Sequence, residues 1–195
     1  MSNFLAVDTS SKYLTVLAVK GEKTVLRHTP DCALKHSVVL MGEIDAALKE
    51  AGLDPGECDF FAAVTGPGSF TGIRIGISTV KGFAVATGKP LVPVTAFGLL
   101  AYNVKDDVFY TVIDAAHSHY YVCGFGARLP PCYMERAEVE KLTAPLYGFE
   151  DLPFENYTKL NVRDCLYTAV TRSAPSDKMD ALYVRKSQAE EGRKC

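Results

Sequence analysis

Three groups of residues could do chemistry. Asp8-Thr9-Ser10 follows a short apolar run and offers a carboxylate beside two hydroxyls at a turn. Asp114, His117, Ser118 and His119 lie together further on. On a strand, His117 and His119 would point to the same face and could begin a metal site, with a third ligand from elsewhere. Asp114 with His117 suggests acid–base work, and with Ser118 a hydrolase, yet neither comes with a nucleophile elbow. Such motif-free histidines are more often solvated turn residues. His36 stands alone. The third group is the glycine-rich turn Gly66-Pro67-Gly68, followed by Ser69, Phe70, Thr71, Gly72 and Arg74. A helix opening there would present free N–H groups, as phosphate sites do. The spacing Gly66-x-Gly68-x-x-x-Gly72 has one residue too many for the dinucleotide fingerprint, and no Gly-Lys-Ser/Thr is present. Ser69 or Thr71 reads as a helix cap, with no base paired to it as to a nucleophile. Asp8 reads equally as a turn residue.

The elements that must hold these groups can be read in order. Phe4 to Val7, Tyr13 to Val19 and Lys23 to Arg27 read as tightly connected, antiparallel strands. His36 or Ser37 opens a helix ending at Gly52, with Leu40, Ile44, Ala47, Leu48 and Ala51 at helical spacing. Val38, Val39 and Met41 widen that stripe beyond what one sheet contact needs. Phe60 to Val64 is a buried strand, and a helix runs from the glycine turn to about Thr87, stopping at Gly88. Lys89 to Val94 is a strand and Ala96 to Tyr102 a short helix. The second helix has one nearly bare stripe, Gly72 and Gly76 extended by Thr79 and Phe83. Another stripe, Ile73, Ile77, Val80 and Ala84, is apolar. Arg74, Ser78 and Lys81 form the polar face, either solvated or meeting an acidic partner. A helix apolar over most of its circumference is buried on more than one side. One side can be its own sheet, so the other is expected to be another helix or chain. The expected interface is His36, Val39, Leu40, Gly72, Gly76, Thr79, Val80 and Phe83.

The order β-β-β-α-β-α-β implies an α/β lobe with a parallel portion beside initial hairpins. After Asn103 the pattern restarts, with Val108 to Ile113 and Tyr120 to Phe125 as a hairpin. Only 70 residues follow Phe125, punctuated by Pro130, Pro131, Pro145, Pro153 and Pro175. Glu135 to Leu142 and Val162 to Val170 read as short helices or strands. The expected division is residues 1–103 and a reduced second lobe, 104–195. Composition is that of a globular protein, 48% hydrophobic and 23% charged, with a net charge of −2. No basic patch precedes the mixed tail from Arg185 to Lys194, which disfavours direct, tight nucleic-acid binding. The six cysteines lack Cys-x-x-Cys spacing, and no signal pattern or membrane-length apolar run is present. A cytoplasmic protein with reduced thiols is expected.

The run Thr65-Gly-Pro-Gly-Ser-Phe-Thr-Gly-Ile-Arg-Ile-Gly76, with Lys81-Gly82, resembles the signature of the TsaB family. Phe4 to Ser10, Lys35-His36-Ser37 and Leu182-Tyr-Val-Arg185 resemble the same family in the same order. The resemblance implies an actin/ribonuclease-H-like fold and a non-catalytic subunit without a cofactor or metal of its own. Its implied partner is a TsaD-like subunit that transfers a threonylcarbamoyl group to the adenosine next to the anticodon. A TsaE-like ATPase would join through the complex, tRNA would be met only there, no membrane is involved, and the chain alone would form a homodimer. TsaD carries a His-x-x-x-His motif, which has no counterpart here. Superfamily kinases usually have glycine after the acidic residue of the first hairpin; here it is Thr9. Two alternatives remain open. One is a small phosphotransferase or ATPase using Asp8 and Asp114; the other is a metal-dependent hydrolase using His117 and His119. Arg185 is expected to bond back to the first lobe.

Overall fold

The computed structural model describes residues 2–185. β1 (Phe4–Asp8), β2 (Leu14–Lys20) and β3 (Lys23–Thr29) form an antiparallel meander. α1 (His36–Ala51) then leads to β4 (Phe60–Val64), α2 (Phe70–Thr87), β5 (Leu91–Val94) and α3 (Ala96–Ala101). The sheet order is β3-β2-β1-β4-β5, with β1, β4 and β5 parallel. The expected β-β-β-α-β-α-β order is present, with bounds shifted by one or two residues, as end assignments ordinarily are.

The central strands are buried on both faces, which is why they read as continuous apolar runs. Leu5, Val7, Phe61 and Ala63 face the core under α1 and α2. Phe4, Ala6, Ala62 and Val64 face the opposite core, which contains Phe97, Leu99 and Leu100. Each helix stops where glycine takes a left-handed conformation, Gly52 after α1 and Gly88 after α2.

The second half builds another five-stranded sheet. β6 (Phe109–Asp114) and β7 (His119–Phe125) are the expected antiparallel hairpin. β8 (Cys132–Glu135), the single-turn α4 (Arg136–Val139), β9 (Leu146–Gly148) and β10 (Tyr157–Lys159) complete the order β10-β9-β6-β7-β8. α5 (Val162–Arg172) does not stay with this sheet. Its buried Cys165, Leu166, Ala169 and Val170 join the core on the outer face of the first sheet. Ile113, Cys123 and Phe149 of the second half enter that same core. The two sheets thus share a core, and a cut after residue 103 marks where the sheet changes rather than where packing ends.

Candidate functional site

The glycine-rich turn delivers α2 onto the tip of the β1–β2 hairpin. Ser69 is the N-cap, its Oγ accepting from the Gly72 N–H at 3.2 Å. The Ser69 N–H donates to the Ser10 carbonyl at 2.6 Å. One turn on, Thr9 Oγ1 donates to the Gly72 carbonyl at 2.7 Å. A Cβ at Gly72 would collide with the Thr9 carbonyl oxygen, and one at Gly76 with Thr9 Oγ1. The bare stripe is therefore filled from within. Of the residues of the expected interface, Gly72, Gly76, Val80, Leu40 and His36 are buried inside the chain itself. His36 bonds the Tyr13 carbonyl through Nε2 at 2.9 Å. Val39, Thr79 and Phe83 remain partly exposed.

The free face of the two helices lies beside that stripe. On α1 it exposes Val38 (80%) and Met41 (54%). On α2 it includes Ile75, Thr79 and Phe83, all half-buried. Gly42 and Gly82 meet nothing within 4 Å of a built Cβ, so these glycines carry open space, unlike Gly72 and Gly76. A groove of about 490 Å³ lies along the second half of α1 and the turn after it, lined by Met41, Asp45, Leu48, Lys49, Leu53 and, from α2, Phe83. Val38 and Met41 were legible as excess apolar residues; Gly82 was legible only as part of the motif.

Asp8 makes the bond of a turn aspartate, to the amide two residues on, and is buried as well. Its carboxylate accepts from the Ser10 N–H (2.9 Å), Ser10 Oγ (2.7 Å) and Tyr13 OH (2.8 Å). Burial raises its pKa against the lowering effect of those bonds, and burial beside Asp8 raises Tyr13 well above the usual phenol.

The β6–β7 tip differs. Asp114 is exposed and accepts from the Ala116 N–H at 2.9 Å. Ala116, His117 and Ser118 all have left-handed backbones, with φ of 64°, 53° and 59°. His119 Nδ1 donates to the His117 carbonyl at 2.8 Å, and its ring stacks on Tyr133 at 4.7 Å. His117 and His119 find no third ligand: among the described residues no group of three His, Cys, Asp or Glu could hold a metal ion.

Between the two tips lies a cleft of about 380 Å³, lined by Ser10, Lys12, Ser69, Asp114, Tyr121 and Glu150 among others. Glu150, which sequence reasoning missed, has one buried carboxyl oxygen, Oε2, without a partner. Burial, with the Asp114 charge adding to it, pushes its pKa up to about 8. No sequence pattern marks it, because it follows a three-residue strand in an irregular stretch.

Arg74 and Lys81 meet the chain's own end. Arg74 Nε donates to Tyr183 OH at 2.9 Å, and Lys81 stands 4.0 Å from Asp180. Arg185 donates to Tyr133 OH at 2.8 Å, a bond to the second sheet.

A family model described as TsaD: tRNA N6-adenosine threonylcarbamoyltransferase matches residues 29–145, more than half of the chain. The chain belongs to the TsaD family. Its relatives include proteins named TsaB. TsaB of Haemophilus influenzae is 29% identical over 147 residues, covering 74% of this chain and 58% of that protein. TsaB of Bacillus subtilis is 27% identical over 119 residues, covering 60% and 52%. A tRNA N6-adenosine threonylcarbamoyltransferase of Chelativorans sp. is 47% identical, but over 66 residues, 33% of this chain and 18% of that one. The chain thus spans about half the length of the curated TsaB relatives it matches. YeaZ from Pseudomonas aeruginosa superposes with a TM-score of 0.71 at 21% identity, covering 94% of this chain and all of that one. A second structure from that organism, described by similarity to peptidase YeaZ, gives 0.74 at 20% identity, covering 95% of this chain and all of that one. These superpositions carry the fold. Among the described residues no helix is long and apolar enough to cross a membrane.

Proposed function

We propose that this chain is a non-catalytic scaffold that binds and supports a TsaD-type threonylcarbamoyltransferase in the modification of tRNA adenosine 37. The names of its TsaB and TsaD relatives support the pathway. The observation that carries the scaffold role is the free face of α1 and α2, with Val38 and Met41 exposed and Gly42 and Gly82 open. The partner docks there. A TsaE-type ATPase joins through the complex, tRNA is met only in it, and the setting is cytoplasmic. Without the partner the same face pairs with a second copy, an isologous arrangement. Its action on the partner is differential binding, limited by its preference for the active conformation.

A small phosphotransferase or ATPase is the second reading, favoured by the cleft between the two aspartate-bearing tips. Two features weigh against it. The bonds from Ser10 and Tyr13 occupy the Asp8 carboxylate. The N-terminal turn of α2, where a phosphate would sit, is packed on Thr9 and Ser10.

Co-purification with a TsaD-type protein tests the proposal. The doubly substituted Val38→Asp, Met41→Asp chain should keep its circular dichroism and lose the complex in sedimentation. An unchanged complex would overturn the docking face. Nucleotide titration of the chain alone tests the second reading, and saturable binding with hydrolysis would favour it.

A further inference from the structure

The segment after α5 returns to the first sheet and crosses it. The Ser176 N–H donates to the Leu91 carbonyl at 2.8 Å, and the Leu182 N–H to the Thr65 carbonyl at 2.7 Å. Met179 is fully buried in the core under α1 and α2, while Leu182 and Val184 pack on the core shared by the two sheets. Its polar side chains face outward, and two of them near its C-terminal end, Tyr183 and Arg185, are clasped to different elements. Tyr183 OH accepts from Arg74, whose guanidinium lies 3.8 Å above the Phe70 ring, and the Phe70 and Tyr183 rings are 5.1 Å apart. Two residues on, Arg185 donates to Tyr133 OH and stands 5.0 Å over that ring.

The clasps grip the two walls of the cleft. Ser69 belongs to one wall and caps the helix that carries Arg74. Tyr121 belongs to the other, with its ring 5.8 Å from Tyr133. We propose that residues 176–185 are a strap that couples the N-terminal turn of α2 to β8 as one cooperative unit and so sets the opening of the cleft. The inward side chains supply adhesion, and the outward arginine–tyrosine pairs fix register. Each clasp is a partly exposed charged-donor hydrogen bond, weak enough to yield without unfolding the domain. Because α2 also carries Ile75, Gly82 and Phe83, a shift of that helix reaches β8 through the strap. The coupling is a property of the chain alone; its use by a docked partner rests on the proposed scaffold role.

Hydrogen exchange on the full chain, read by mass spectrometry, tests the coupling without any partner. Tyr133→Phe removes only the hydroxyl that Arg185 donates to. Exchange should rise about five-fold at the Leu182 amide and at the Ile73 amide, which is bonded to the Ser69 carbonyl. The β1–β2 amides, which open with the whole domain, should stay at the wild-type rate. Tyr183→Phe should act in reverse, raising exchange in β7 and β8. A rise confined to the substituted end, or one matched by β1–β2, would overturn the strap as a coupling device. Loss of the docking proposal would leave this test untouched.

Discussion

Two pairs of glycines in helices of the same layer do opposite work. Gly72 and Gly76 are bare because Thr9 occupies the space where their side chains would be. Gly42 and Gly82 are bare with nothing within 4 Å. The inner pair lets a helix approach a hairpin tip closely enough for Thr9 and Ser10 to exchange hydrogen bonds with it. The outer pair has no internal reason to lack a Cβ, and each glycine inside a helix costs about 1 kcal/mol against alanine. One pair answers to the fold, and the other, on the proposed scaffold role, leaves a surface smooth for a partner.

The largest effect that would break this contrast is at the inner pair. Gly72→Ala drives a Cβ into a backbone carbonyl, which cannot rotate away. It should destabilise the chain by about 3 kcal/mol or more, as overpacking at a backbone contact does. Gly76→Ala meets a hydroxyl that can turn and should cost less. Denaturant midpoints would check both, and a Gly72→Ala chain as stable as the wild type would mean that the hairpin tip yields.

Buried carboxylates sharpen the comparison at the next scale. Asp8 has three donors from Ser10 and Tyr13, whereas Glu150 has an oxygen with none. The Asp114 charge raises the Glu150 pKa further, while Lys12 and the backbone N–H groups of Glu150 and Asp114 lower it. A carboxyl raised from 4.5 to about 8 on folding keeps its proton longer in the native state. Stability from this group is therefore full below pH 4.5, falls as pH rises towards about 8, and is flat beyond. Glu150→Gln should remove that slope and leave the variant more stable than wild type above the upper limit, by on the order of 2–4 kcal/mol. Urea titrations of both chains across the window would show it. Parallel pH curves would mean that Glu150 is solvated.

Much of this was legible from the amino-acid order. The strands read correctly because their apolar runs are bounded by turn residues, and Ser69, Gly52 and Gly88 mark helix ends by their own chemistry. The second sheet was legible as the β6–β7 hairpin and little else, because β9 and β10 are three residues each and carry no period. The direction of the glycine stripe was not legible. A helix apolar on most sides gives no sign of which side is inward, and the answer depends on Thr9, some sixty residues earlier in the chain. Asp8 reads as a turn aspartate until Tyr13 folds back to bond it. Of the return of residues 176–185 only the expected bond from Arg185 to the first lobe was read, since single contacts through Met179, Leu182 and Tyr183 make no pattern.

The smallest effect separates the two roles of glycine most cleanly. Gly82→Ala adds a methyl group in open space on an ordinary helix. The unfolded chain loses freedom and the helix gains propensity, so the isolated chain should become more stable by about 0.5–1 kcal/mol. That sign is opposite to the one expected at Gly72, although the substitution and the helix are the same. If the face with Gly82 meets a TsaD-type partner closely, the same methyl group should weaken the complex about tenfold, a cost near 1.4 kcal/mol. Calorimetric melting and sedimentation of one variant would read both quantities. A more stable chain with a weaker complex assigns Gly82 to the partner. A more stable chain with an unchanged complex moves the closest approach elsewhere on the face, towards Gly42 and Met41 on α1.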